Sequence, residues 1–202
     1  MQLVFPARGE SKSNTKVIIF NTALRLFAIK GVENISMRNI ADAVGIKAAS
    51  IYNHYKSKEQ IVDDCYEFFL QYHCAGWLNK EQYILVLQNG TKEEIVKVQF
   101  TANMMEEFQY SMSMLFARIH TDEKAIKIYE QMIDNSMQFL KEFFETGIRL
   151  GRFEEFNIEG VSMIFLSARL FVAQSITMSH EGWSKIQQEM VSELINLIPF
   201  KY

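Results

Sequence analysis

Tyr52, His54, Tyr55, Lys56 and Lys58 fall in one short stretch of the chain. Phenol, imidazole and ammonium donors beside a helix N-terminus suit an anion, and above all a nucleic-acid backbone, where such contacts set register and orientation. The same side chains also fit a packed helix corner. Ile51 and one tyrosine must pack beneath the surface; we assign Tyr55 inward and Tyr52 outward. His54 suits a hydrogen bond within its own module as well as it suits a phosphate. Just upstream, Ala48 and Ala49 are small enough for a backbone to come close to a partner. Lys47 and Ser50 can reach a base or a phosphate, Asn53 can pair with a base edge, and Arg38 points from the preceding helix toward the same groove.

Other chemistry has less to stand on. His73 and Cys74 are adjacent and so diverge, and Cys65 lies more than two turns from Cys74, so no metal-ligand set forms. No glycine-rich phosphate loop, nucleophile elbow or metalloprotease helix occurs, so no catalytic residue, cofactor or metal is assigned and no enzyme is expected. Glu106-Glu107 and Glu154-Glu155 read as solvated charges. Two cysteines nine positions apart on one helix cannot meet in a disulfide, which fits a reducing compartment. The opening MQLVFPARGESKSN has no apolar run of signal-peptide length, so a cytoplasmic location is expected.

These residues need elements to hold them. Apolar residues at 49% and charged residues at 22% point to a chain that folds. Its two prolines, Pro6 and Pro199, lie at the ends, which favours an all-α protein. A first helix carries Phe20, Leu24 and Phe27 on one face and stops at Gly31. Ser36 caps a short helix to about Val44, Gly45 turns the chain, and a third helix runs from about Ala48 to Tyr55. Ser57 and Gln60 form a capping box for a fourth helix reaching about Gly76, with Ile61, Cys65, Phe68 and Tyr72 in one stripe. The run QYILVLQNG is read as helix rather than hairpin, because Thr91 with Glu94 opens another helix at once. The next helix carries Phe100, Met104, Phe108 and Met112 and ends near His120.

Thr121 then caps a long helix from about Asp122 to Leu150 with Gly151 as its stop. It has two apolar faces, Ile126, Ile133, Met137, Leu140 and Phe144 on one and Met132, Phe139 and Phe143 on the other. The segment after Asn157 is apolar nearly all round, yet Arg169 at its centre would cost about 2.5–3.5 kcal/mol in a bilayer. Burial in protein, without a membrane partner, is expected there. A last helix spans about Trp183 to Ile198.

Three helices, the second and third short and joined by a glycine turn, make a helix-turn-helix supported by the first. The stretch SMRNIADAVGIKAASIYNHYKSKEQIV resembles the helix-turn-helix signature of the TetR family of bacterial transcriptional regulators. The similarity covers about residues 14–62 by motif and the rest by architecture; IRLGRFEEFN resembles the junction between that family's two dimerisation helices. The resemblance implies a homodimer on a palindromic double-stranded DNA operator, usually a repressor, released by a small-molecule effector. It implies base contacts from the third helix and Arg38, and phosphate contacts from Tyr52 and Lys58. Where the family commonly has a Ser-Lys pair at the start of the third helix, this chain has Lys47-Ala48, which removes the hydroxyl cap and shifts the charge.

Charge is distributed accordingly. Residues 1–60 hold nine Lys/Arg against four Asp/Glu, and residues 61–202 hold twelve against twenty. A basic first part meeting a polyanion explains this asymmetry, as does a solvated face. The expected division is a DNA-binding domain over residues 10–56 and a helical ligand-binding and dimerisation domain over 57–202. Sixteen phenylalanines and eleven methionines suit an adaptable apolar pocket, or an ordinary bundle core. The candidate pocket walls are Trp77, Met104, Phe108, Met112, Phe116, Phe139 and Phe143. Arg118, His120 and Arg169 either meet an anionic ligand or form surface charges and internal ion pairs. Rival readings are a helical small-molecule-binding or interaction protein that does not bind an operator, and a helical enzyme using the cavity.

Overall fold

The computed structural model describes residues 15–74, 80–98, 106–174 and 183–201. These form ten α-helices, with a single isolated bridge between Phe153 and Phe200. In order they are α1 Thr15–Lys30, a 3-10 turn Val32–Asn34, α2 Met37–Val44, α3 Ala48–Ile51, α4 Lys58–Cys74 and α5 Lys80–Asn89. They continue with α6 Lys92–Lys97, α7 Glu106–Arg118, α8 Glu123–Arg149, α9 Ile158–Gln174 and α10 Trp183–Asn196. An N-terminal helix-turn-helix is followed by a helical C-terminal part. No helix among the described residues is long and apolar enough to cross a membrane.

Helix ends follow local chemistry. Ser36 caps α2 in a capping box whose other half is Asn39, and Gly45 ends the helix in the left-handed conformation at φ 79°. Such a backbone costs a residue with a Cβ about 1–2 kcal/mol. Thr91 and Glu94 form both bonds of the expected capping box at α6, and Lys80–Asn89 is helix rather than hairpin. Three expectations need correction. The cap of α8 is Asp122, not Thr121, because its carboxylate accepts from the amides of both Lys124 and Ala125. At α4, Ser57 Oγ accepts from the Gln60 amide, but the Gln60 side chain accepts from the amide of Lys56, not of Ser57. Regular helix α3 stops at Ile51, and hydrogen-bonded turns carry the chain to Tyr55.

Apolar packing falls into two clusters. One joins Phe20, Leu24 and Phe27 of α1, Ile40 of α2, Ile51 and Tyr55 to Phe68 and Phe69 of α4, then to Phe108, Met112 and Leu115 of α7 and Met132 of α8. The other gathers Tyr83, Leu87, Ile95, Phe143, Phe144, Phe153, Phe165 and Leu194. Ile133 and Leu170 pack against both. The first cluster runs without a break from the helix-turn-helix into α7 and α8, so α4 is not its sole support: α1 lies along α7, with Arg25 over the ring of Tyr110.

The two apolar stripes of α8 do not leave a whole face free. Met132, Leu140, Phe143 and Phe144 are buried, Ile133, Met137 and Phe139 are half-buried, and Ile126 is exposed. Both stripes feed the core because α8 has neighbours on several sides, α4, α5, α7 and α9 among them. The apolar surplus sits on α9, where Met163 and Ile164 are exposed while Phe165, Leu166, Ala168 and Val172 are buried. Arg169 is also buried, and loss of solvent pulls its pKa down to about 10. Gly76, Phe100 and the start of the expected helix through Met104 lie outside the described residues.

Candidate nucleic-acid interface

The turn at Gly45 sets α3 against α2, and side-chain size decides which way α3 faces. Ile51 and Tyr55 are fully buried, whereas Lys47, Ala48, Ala49, Tyr52 and Asn53 are exposed and Ser50 and His54 half-buried. Lys47 occupies the cap position of α3 and provides no side-chain hydrogen bond, as expected of a residue without a short oxygen-bearing side chain. Burial and then the Asp64 carboxylate push the Tyr55 phenol well above its ordinary pKa, so it remains a neutral donor. Lys16 lies over the Tyr55 ring at 4.8 Å and 3.4 Å from Asp64. The inner side of α3 is thereby tied to α1 and α4, leaving its outer side as a small-residue ridge.

Beside that ridge lies a cleft of about 470 Å³ lined by Ser36, Met37, Tyr52, Lys56, Ser57 and Lys58, together with Glu33, Asn34, Ile35 and Glu59. The starts of α2 and α4 and two ammonium groups converge on it, an arrangement that can hold a phosphate. Lys56 Nζ lies 3.4 Å from the Tyr52 carbonyl oxygen. Lys58 Nζ donates to the Val32 carbonyl at 2.8 Å, which occupies one of its three donors. Arg38 is exposed and only 4.0 Å from Asp42, a loose pair that leaves the guanidinium free to turn. Sequence reasoning did not find Glu33 and Asn34; they lie just before Ser36 in the 3-10 turn and carry no helix-period signal.

The seven candidate pocket walls do not gather at one place. Phe108 and Met112 lie in the first cluster, with Phe108 stacked on Phe69, while Phe143 lies in the second and Phe139 packs against it. Phe116 is exposed and meets Tyr129 edge-on. Trp77 and Met104 lie outside the described residues. Of the three cationic candidates, His120 is exposed and Arg169 buried. Arg118 is held in an ion pair at 2.9 Å by Asp122, beside the hydroxyl of Tyr66.

Residues 19–65 match the model of the family described as bacterial regulatory proteins, tetR family. The chain is 41% identical over 59 residues to the HTH-type transcriptional repressor KstR2 of Rhodococcus jostii, a match covering 29% of each protein. The aligned part thus spans under a third of that curated relative. Over nearly the whole chain, the fold is similar to the ketosteroid transcriptional regulator KstR2 of Mycobacterium tuberculosis. That structure gives a TM-score of 0.67 at 18% identity, covering 95% of this chain and 98% of that one. AibR in complex with isovaleryl coenzyme A and operator DNA is similar with a TM-score of 0.62 at 18% identity, covering 93% and 100%.

Proposed function

The chain belongs to the TetR family of bacterial regulatory proteins, and from that premise we propose that it binds a palindromic operator as a homodimer and is released by a small apolar or amphipathic effector. The relatives are named regulators of transcription, not enzymes. The observation that carries the DNA reading is the two-sided segment of α3 and the turn after it: Ile51 inside, Ala48, Ala49, Tyr52 and Asn53 outside. In this reading α3 enters the major groove. Lys47, Ser50, Asn53 and Arg38 meet base edges or phosphate, and Tyr52, His54, Lys56 and Lys58 line the backbone.

The division of roles falls near residues 56 and 57, although the apolar packing crosses it. Exposed Met163 and Ile164 on α9 supply the pairing surface. Pairing sets the two α3 helices one DNA turn apart, about 34–36 Å. An effector bound by the C-terminal helices acts only if it binds one head spacing better than the other. Support for an effector is the similarity of fold to AibR, whose structure holds isovaleryl coenzyme A and operator DNA together.

The test is fluorescence anisotropy of the chain with DNA flanking its own gene, paired with its mass in solution. Saturable binding by a dimer supports the proposal. A chain that stays monomeric and shows no preference over random DNA instead leaves a helical small-molecule-binding or interaction protein.

A further inference from the structure

The 3-10 turn Val32–Asn34 joins α1 to α2 and is gripped from two sides. From α4, Lys58 Nζ donates to the Val32 carbonyl at 2.8 Å. From the end of α7, Arg118 Nη1 donates to Glu33 Oε1 at 2.7 Å. Arg118 is itself fixed from behind: Nη2 and Nε donate to Asp122 Oδ2 at 2.9 and 3.2 Å, and Nε also meets the Tyr66 hydroxyl at 3.0 Å. Asp122 in turn caps α8.

These two ends differ in firmness. The Arg118 and Asp122 side chains are 20% and 19% exposed, whereas Glu33 is 80% exposed. An exposed ion pair contributes little to stability and breaks readily, while the part-buried cluster behind it holds its shape. Ile35, which follows the turn, is buried, and Ser36 caps α2, so movement of Glu33 passes directly to the first helix of the helix-turn-helix.

We propose that this turn is a handle through which the α7–α8 corner sets the position of α2, with Glu33–Arg118 as the contact that opens and Arg118 as a positioning residue. The inference rests on the reading of α2 and α3 as the DNA-reading unit. It adds a route from the C-terminal helices to that unit that does not pass along α4. Lys58, Lys124, Asp63 and Glu59 also line the cleft of about 360 Å³ beside the pair. Lys124 is paired with Asp63, leaving Glu33 as the acid that faces Arg118 from the turn.

The test is a distance distribution between spin labels at exposed positions on the two sides, Ala43→Cys on α2 and Glu130→Cys on α8. It uses the full chain with Cys74→Ser, diluted with unlabelled protein. The Glu33→Gln variant should broaden the distribution, and Glu33→Lys, which repels Arg118, should broaden it further. Melting temperature should stay at the wild-type value. At ~1 M salt, where screening acts within about 3 Å, the wild type should approach the Gln variant. Wild-type distributions from both variants at low salt overturn the handle.

A second arm uses an operator selected from a random DNA pool by the wild-type chain. The preference for that operator over one with an extra base pair between half-sites should fall about 2- to 5-fold in Glu33→Gln, the span of an exposed ion pair. An unchanged preference overturns the positioning role. If the wild type shows the narrow distribution and selects no DNA, the regulator reading fails while the handle stands.

Discussion

The Tyr66 hydroxyl on α4 donates to the Asp122 carboxylate that caps α8, at 2.8 Å, and Arg118 donates to both. Burial, followed by the bond to Asp122, pushes the Tyr66 phenol well above its ordinary pKa. Burial alone would raise Asp122, but hydrogen bonds from Tyr66 and Arg118 outweigh it and hold that carboxyl below its ordinary value. This corner joins α4, α7 and α8 at the edge of the first apolar cluster, to which the Tyr66 ring belongs.

Tyr66→Phe keeps the buried ring and removes only the hydroxyl. A bond to a charged group contributes about 1.5–3 kcal/mol, so the variant should unfold at lower urea with an unchanged slope. An unchanged midpoint would show that the bond does not hold the corner.

Asp122 gives the corner a pH dependence whose sign is set by its lowered pKa. The contribution of the ionised carboxylate is complete above the ordinary value of 3.8 and is lost as pH falls through the lower folded value. Asp122→Asn should therefore trail the wild type by a constant gap between about pH 7 and 5, and the gap should close toward about pH 3. Urea unfolding at the three pH values measures it; a gap that widens in acid reverses the assignment.

Two glycines should fail for different reasons. A Cβ at Gly147 would lie 2.0 Å from the Phe153 ring, which is fixed edge-on against Phe144, Phe156 and Phe200. Gly147→Ala should cost about 1–3 kcal/mol or more, and Phe153→Leu in the same chain should recover part of it. Gly45→Ala meets nothing within 4 Å, so its cost is the left-handed backbone, about 1–2 kcal/mol. Thermal unfolding of the three variants separates the cases: no recovery in the double variant would place the Gly147 effect elsewhere.

Lys56 and Lys58 line the same cleft but should behave differently. Lys56→Ala should lower the salt slope of DNA binding by about 0.9 and leave stability alone. Lys58→Ala should lower the slope similarly and also reduce thermal stability, because Lys58 Nζ holds the Val32 carbonyl. A Lys58 variant with the wild-type slope would confine that residue to structure.

The helix-turn-helix was legible because its signals are local. Ser36 lies next to the helix it caps, Gly45 sits at the turn it makes, and Ile51 and Tyr55 are four apart on one side of the backbone. Thr91 and Glu94 announced α6 for the same reason. The cap of α8 was misplaced by one residue because Thr121 and Asp122 both have cap chemistry, and only the backbone direction selects the carboxylate. The candidate pocket was less legible: Phe108 and Phe143 have the same apolar character, and composition cannot assign them to different clusters.

By itself the sequence determined that the chain is helical, where its turns fall, and which short segment carries small and cationic residues together, because these depend on neighbours within about one helical turn. Tertiary structure alone decided that α1 lies along α7 and that Lys58 turns to Val32. It also brought Arg118 to Tyr66 and Glu33, 52 and 85 positions away. Such contacts depend on how helices pack in three dimensions, and a charged side chain carries no mark along the chain of the distant partner that will meet it.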